Sequence, residues 1–212
     1  IEAPRALASS APPTPVRAVE VGVEVEAVAP RASASNDAPA PGWSALARDA
    51  KYKDALAAAE REGFDAICAG ASARDLHALG DAARLGGSSA RAGQAFTTLR
   101  TRFPGSPEAA GAAFILGRIA QDQGHDYAGA ARWYTRYLSE QPGGAFAADA
   151  TGRLVEAEDR MGDEAGARRA AARYLAAYPQ GSHAAFAKSV IERGSSPSAP
   201  GTPGSIRDPQ AP

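Results

Sequence analysis

The pattern of apolar and polar positions divides this 212-residue chain into three parts. Residues 43–193 are rich in alanine, leucine and arginine and almost free of β-branched runs, a composition that favours helices. Residues 1–41 and 194–212 are instead rich in proline, serine and other residues that bury little. Burial in such segments does not offset the entropy of ordering them. We therefore predict an all-α domain between a disordered linker and a disordered tail.

One stretch of the linker has a different pattern. In VEVGVEVEAV, at 19–28, valines at alternate positions fall on one face of an extended chain and glutamates fall on the other. This alternation is typical of a β-strand, but a single strand is not stable by itself in water. We interpret the stretch as linker, and the alternative is a strand that pairs with a sheet edge of another domain or of a partner.

Inside the helical part the same punctuation recurs at a nearly constant interval. FPGS at 103–106, QPGG at 141–144 and YPQGS at 178–182 each follow one predicted helix and precede another. The prolines of these turns are 38 and then 37 residues apart. A fixed period of this length is typical of stacked repeats, in which one unit cannot bury its apolar face alone. The sequence therefore predicts a repeated helix–turn–helix.

The residues that flank the predicted helices have the chemistry of helix ends. Ser106 can cap a helix whose first residues are Pro107 and Glu108. Asp126, Asp163 and Ser182 precede three further helical runs in the same way. These positions predict where four of the helices begin.

Glycines mark the turn inside each predicted helix pair. Gly87, Gly124 and Gly162 stand between the two helices of a unit, where a residue with positive φ commonly ends the first helix. Prolines that cannot continue the second helix close each unit. The predicted units are 73–104, 107–142 and 145–179, with a degenerate unit at 43–66 before them and a capping helix at 183–193 after them.

The aligned units share a pattern that resembles the tetratricopeptide repeat. Leu-Gly occurs in the first helix at 79–80 and 116–117, and the second helix has an alanine that an aromatic follows four residues later. That aromatic is Phe96 in the first unit and Tyr134 in the second, whereas the third unit has Ala171. The resemblance implies a right-handed solenoid of antiparallel helix pairs, in which aromatics fill the gaps between hairpins.

Longer segments resemble a narrower group of proteins. WSALARDAKYKDALAAAEREGF, RDLHALGDAARLGG and AARWYTRYLSEQPGG are similar to the periplasmic repeat domain of FecR-type anti-sigma regulators. The turns resemble those in the coordinator protein of the Tol–Pal system and in outer-membrane assembly lipoproteins. The resemblance implies a module that binds a protein or peptide in the periplasm or cell envelope of a bacterium. The alternatives are a structural spacer, a non-catalytic subunit of an enzyme complex, and a cytoplasmic location.

The same resemblance implies where a partner binds, because the first helix of each unit lines a groove in tetratricopeptide repeats. Phe114 lies between Arg84 and Arg118 and is the expected anchor for a peptide. The alternative is that Phe114 packs against the neighbouring unit. The charges are mixed, without the lysines and asparagines that hold a C-terminal carboxylate in chaperone-binding repeats. The implied groove residues are Arg74, His77, Asp81, Arg84, Phe114, Arg118, Gln121, Asp122, Arg153, Glu156, Asp159 and Arg160.

Charge and hydropathy argue against two classes of partner. The formal net charge is −1, so no overall positive field attracts nucleic acid. No apolar run reaches the roughly 20 residues of a membrane span, so we expect no membrane insertion within this chain. The chain begins at Ile1 without an initiator methionine, and we expect any targeting segment or anchor to lie upstream.

The sequence contains no recognisable catalytic or metal-binding pattern. The three histidines, His77, His125 and His183, fall in different units, and no hydrolase, nucleotide-binding or zinc-protease motif occurs. Cys68 is the only cysteine, which leaves no disulfide and argues against a cysteine-based zinc site. We interpret Cys68 as a small buried residue. The sequence therefore predicts a protein that is not an enzyme and uses no cofactor or metal.

Overall fold

The computed structural model describes residues 42–195, and within that range it contains ten α-helices and no β-strand. The predicted all-α class is therefore confirmed. The linker at 1–41, its Val/Glu alternation and the tail beyond 195 lie outside the described residues. The helices are α1 (Trp43–Arg48), α2 (Tyr52–Glu62), α3 (Phe64–Gly70), α4 (Ala73–Leu85), α5 (Ser89–Arg102), α6 (Pro107–Asp122), α7 (Tyr127–Glu140), α8 (Ala147–Arg160), α9 (Glu164–Ala177) and α10 (Ala184–Ser195).

The helices pack chiefly against their neighbours in sequence. The closest pairs are α4 with α5, α6 with α7, and α8 with α9. Each pair also packs against the next helix, so that α5 contacts α6, α7 contacts α8 and α9 contacts α10. Contacts also join α4 with α6 and α8 with α10. At the N-terminal end α1 and α2 pack on α4, and α3 packs on α5.

Three helix starts follow the local chemistry that the sequence predicts. The side chains of Ser106, Asp126 and Asp163 each accept a hydrogen bond from the backbone N–H three residues later, at 3.1, 2.7 and 2.8 Å. Each bond satisfies an N–H group that has no partner within the helix. These three predicted caps are therefore confirmed. The fourth was wrong, because α10 begins at Ala184, and His183, not Ser182, is the residue directly before it.

The core is built on close approach between the two helices of a pair. The buried side chains form two clusters that meet along α6, and Trp133 on α7 packs against both. A Cβ added at Gly80 would lie 2.7 Å from the ring of Phe96, and one at Gly117 would lie 2.6 Å from the ring of Tyr134. The two aromatic rings are fully buried. Glycine is therefore required where each ring crosses the first helix of its pair.

Replacing Gly117 with alanine is expected to lower the free energy of unfolding by about 1–3 kcal/mol, because the added methyl group would overlap the Tyr134 ring. Gly111 on the same helix is the matched control, since a Cβ there meets no atom within 4 Å. Gly111→Ala is expected to be neutral or to stabilise the helix by up to about 1 kcal/mol. Urea unfolding of both variants measures the difference, and equal stabilities would contradict the close approach.

Candidate functional site

A cavity of about 410 Å³ lies between α4, α6 and the residue that precedes α8. Five of its lining residues were not among those that the resemblance implied; they are Gly111, Ile115, Ile119, Gln123 and Phe146. Six of the implied groove residues also line it, and the structure therefore brings together half of that set. They are His77, Asp81, Arg84, Phe114, Arg118 and Asp122.

The floor of the cavity is a pair of stacked aromatic rings. The rings of Phe114 and Phe146 are parallel within 6°, with their centroids 4.6 Å apart. Phe114 is only 4% exposed and also contacts the rings of Tyr134 and Tyr137. Phe146 is 43% exposed. Phe114 is therefore a core residue that packs against the following helix pair, as the alternative interpretation stated, and the aromatic that a partner can reach is Phe146.

The turn before α8 holds Phe146 in this position. Its backbone N–H donates a hydrogen bond of 3.0 Å to the hydroxyl of Tyr137 on α7. Gly144 lies against the same hydroxyl, and a Cβ at that residue would collide with it. The next turn repeats the arrangement, because the N–H of His183 donates to the hydroxyl of Tyr174 at 3.1 Å. The signal was present in the sequence as two matching segments, YLSEQPGGAF and YLAAYPQGSH.

Ion pairs on α4 form one rim of the cavity. Arg84 donates to Asp81 at 3.0 Å, and His77 Nδ1 lies 3.4 Å from the other oxygen of the same carboxylate. The Nε of Arg84 is buried and has no hydrogen-bond partner among the described residues. Asp81 is therefore engaged by two neighbours of its own helix, and this rim presents little free charge.

The opposite rim, on α6, carries ion pairs that extend to α8. Arg118 lies 3.6 Å from one oxygen of Asp122, and Arg153 of α8 lies 3.2 Å from the other. Arg153 also lies 3.3 Å from Asp149 of its own helix, so both guanidinium groups have a carboxylate partner. Arg118 has the longer contact and a side chain that is 44% exposed. Of these two cations, Arg118 is therefore the more available to a partner at the edge of the aromatic floor.

The implied residues of the third unit serve a different purpose. Glu156 accepts from His183 Nδ1 at 2.9 Å, and Asp149 lies 3.0 Å from the other ring nitrogen. Asp159 accepts from Arg193 of α10 at 2.6 Å. These contacts connect α8 to α10 and to His183, the residue before α10, so the side chains hold the two helices together. They do not line the cavity.

The remaining implied residues also lie away from the cavity. Gln121 is buried, where it accepts a hydrogen bond of 2.8 Å from the Tyr134 hydroxyl and donates one of 3.2 Å to Glu156. Burial raises the pKa of Tyr134, which keeps the hydroxyl protonated as a donor. Arg74 and Arg160 are exposed and line none of the cavity.

The interpretation of Cys68 as a small buried residue is confirmed. Cys68 is buried, and burial together with the charge of Asp65 raises the pKa of its thiol. A thiol of that kind is a poor nucleophile at neutral pH. Within residues 42–195 no group of three or more histidine, cysteine or acidic side chains is arranged to hold a metal ion. In the same range no helix is both long enough and apolar enough to cross a bilayer.

Comparison with protein-family models and with curated proteins gives no match to this chain.

Proposed function

We propose that this protein is a tetratricopeptide-type solenoid, without catalytic activity of its own, that binds a protein or peptide partner in the cavity between α4 and α6. The order of packing supports the solenoid, because each helix pair rests on its neighbours along the chain. The buried Phe96 and Tyr134 rings against Gly80 and Gly117 support the repeat pattern. The proposed location, a bacterial periplasm or cell envelope as part of a regulator or assembly factor, rests on the resemblance of the repeat segments alone.

The observation that carries the binding proposal is the exposed ring of Phe146 on a fixed aromatic floor. Phe146 is one of three large apolar side chains that are exposed within the described residues, with Leu85 and Met161. Its ring is held by stacking and by its backbone hydrogen bond, so little freedom is lost when a partner covers it. Arg118 lines the same cavity, and arginine is among the residues that contribute most at protein interfaces.

The equivalent position in the next unit supports the assignment by contrast. His183 occupies the place of Phe146, four residues after the closing proline, and its ring lies against Gly152. Both ring nitrogens of His183 are bonded to carboxylates of α8. The polar atoms of His183 therefore have partners within the chain, whereas Phe146 presents apolar surface in a cavity that Arg118 also lines. The cavity is therefore the part of the helix series suited to an external side chain.

The test is selection of peptides from a random displayed library on the full chain, followed by calorimetry of the selected peptides. Phe146→Ala is expected to weaken binding at least about tenfold, since loss of a central aromatic contact costs more than about 1 kcal/mol. Leu85→Ala is the matched control, because Leu85 is equally exposed but lies outside this cavity. Binding that both variants weaken equally, or the absence of any selected peptide, would contradict the proposal and favour a spacer.

A further inference from the structure

The helices α7 and α9 expose the same arginine pattern on their outer sides. Each is the second helix of its pair, and each carries two arginines four residues apart at matching distances before its closing proline. Residues four apart lie on one side of a helix, about 6 Å from each other. All four arginines are exposed; they are Arg132 and Arg136 on α7 and Arg169 and Arg173 on α9.

The residues around these arginines are small and uncharged. On α7 the exposed positions of the same side are Ala128, Thr135 and Ser139, and on α9 they are alanines at 165, 172 and 176. Glu164 of α9 is exposed as well, but it borders a separate cavity with Asp159 and Arg193. The acidic side chains that these arginines meet, Glu140 of α7 and Glu158 of α8, are partly buried, so the exposed positions between the guanidinium groups are small and uncharged.

These positive charges are only partly neutralised within the chain. Arg136 pairs with Glu140, which Arg100 also holds. Arg132, Arg169 and Arg173 make no ion pair with any residue of the described range 42–195. Glu158 of α8, which is partly buried, interacts electrostatically with Arg169 and Arg173 of α9 without forming an ion pair with them.

An apolar patch lies next to the two arginines of α7. A shallow depression of about 480 Å³ is bordered by Arg132 and Arg136 and by the side chain of Met161, which follows α8. Met161 is 44% exposed. Methionine adapts its shape to varied apolar partners, and the surrounding surface is formed by Ala128, Ala131, Thr135 and Ser139. The α7 part of this face thus combines Arg132, which makes no ion pair within residues 42–195, with an apolar contact.

We infer that the outer face of α7 and α9 is a second interaction surface, which binds an acidic polypeptide segment that also carries apolar side chains. Guanidinium groups bind carboxylates through two parallel hydrogen bonds, and arginine loses less hydration than lysine when it does so. Met161 and the alanines give apolar side chains of such a segment a place to rest. A surface of phosphate groups would use the arginines but not this apolar patch, so the acidic polypeptide fits more of the surface.

The probe is a fluorescent 20-residue peptide of glutamate and leucine with glutamates four residues apart, titrated with the full chain and followed by anisotropy. The double variant Arg132→Gln with Arg169→Gln is expected to raise the Kd about five- to tenfold, since two exposed ion pairs are removed. Added salt is expected to weaken wild-type binding and to reduce the difference in Kd between the wild type and the double variant. The matched control is Arg48→Gln with Arg61→Gln, which removes the same charge from exposed positions of α1 and α2.

Three outcomes would overturn the inference. The first is equal weakening by the test pair and the control pair, which would show attraction by overall charge only. The second is a peptide that does not bind the wild-type chain at all. The third is arginine-dependent binding to vesicles containing anionic lipid, or to single-stranded DNA, that is tighter than binding to the peptide. The Arg132→Gln, Arg169→Gln variant should still bind a peptide selected for the α4–α6 cavity, which keeps the two proposals separate.

Discussion

Replacing Phe114 with alanine is expected to lower the free energy of unfolding by about 3–5 kcal/mol, the range for large aromatic-to-alanine changes in a core. Its ring is 4% exposed and contacts three other rings, those of Tyr134, Tyr137 and Phe146, with centroids 6.0, 5.8 and 4.6 Å away. The substitution would leave a cavity where α6, α7 and the turn before α8 meet. Guanidinium unfolding monitored by circular dichroism measures the effect.

Phe146→Ala is the control for this prediction, because Phe146 is the other member of the stacked pair and is largely exposed. Its removal is expected to cost about 1 kcal/mol, mainly the lost stacking contact. The two variants therefore separate the roles of the two rings. If Phe114→Ala cost no more than Phe146→Ala, Phe114 would not be the support of the aromatic floor, and the binding site would need another anchor.

Replacing Arg100 with alanine is expected to lower the free energy of unfolding by about 2–4 kcal/mol. Arg100 on α5 is 13% exposed at its side chain and forms two hydrogen bonds with Glu140 of α7, of 3.1 and 2.8 Å. It also donates to the carbonyl of Ala109 on α6 at 2.6 Å and lies over the ring of Trp133. One side chain thus joins three helices. Its loss would leave the partly buried carboxylate of Glu140 without its main partner. The expected cost therefore lies between the costs of breaking an exposed ion pair and a buried one.

The pH dependence of this effect has a definite sign. The hydrogen bonds from Arg100, with a smaller effect of Arg136, hold the pKa of Glu140 below its ordinary value of 4.5. A carboxyl group whose pKa is lowered by folding stabilises the protein above its ordinary pKa, and that stabilisation is lost as pH falls through the folded-state pKa. The difference between wild type and Arg100→Ala should therefore be largest near neutral pH and shrink in acid. Arg100→Lys keeps the positive charge but loses the paired hydrogen bonds, so its free energy of unfolding should lie between those of the wild type and Arg100→Ala. A stability difference between wild type and Arg100→Ala that did not change with pH would contradict this account.

Local features of the fold could be predicted from the sequence because they depend on few residues. The caps at Ser106, Asp126 and Asp163 each require one side chain and the N–H three residues later. Gly87 and Gly162 adopt positive φ, at 99° and 80°, as predicted.

The prediction for Gly124 was wrong, because the residue with positive φ in that turn is His125, at 48°. The left-handed residue lies directly before the capping residue in all three turns, and because the second turn contains one residue more, that residue is His125 and not Gly124. The short helix α3 also gave no clear signal. Gly63, at φ 95°, separates α3 from α2, and seven residues are too few for a periodic pattern.

The candidate site could be predicted only where helix geometry decides it. His77, Asp81 and Arg84 share a face of α4 by their spacing, as do Arg118 and Asp122 on α6, and the cavity lies along both faces. The spacing within one unit could not predict which residues of the next unit also line the cavity.

Phe146 reaches the cavity because the Tyr137 hydroxyl on α7 fixes its backbone. Glu156 and Asp159 are instead hydrogen-bonded to His183 and Arg193. These outcomes depend on how the helices stack. They are therefore set by tertiary contacts and not by periodicity.

The tyrosine hydroxyls that hold the two closing turns have a consequence for how such a surface can change. Tyr137 and Tyr174 bind the backbone N–H of the residue that follows each turn, not its side chain. The chain path is therefore set independently of which side chain stands there, phenylalanine at 146 or histidine at 183. This makes the position an interchangeable slot, at which evolution or a protein designer could exchange recognition chemistry one residue at a time while the scaffold is inherited intact.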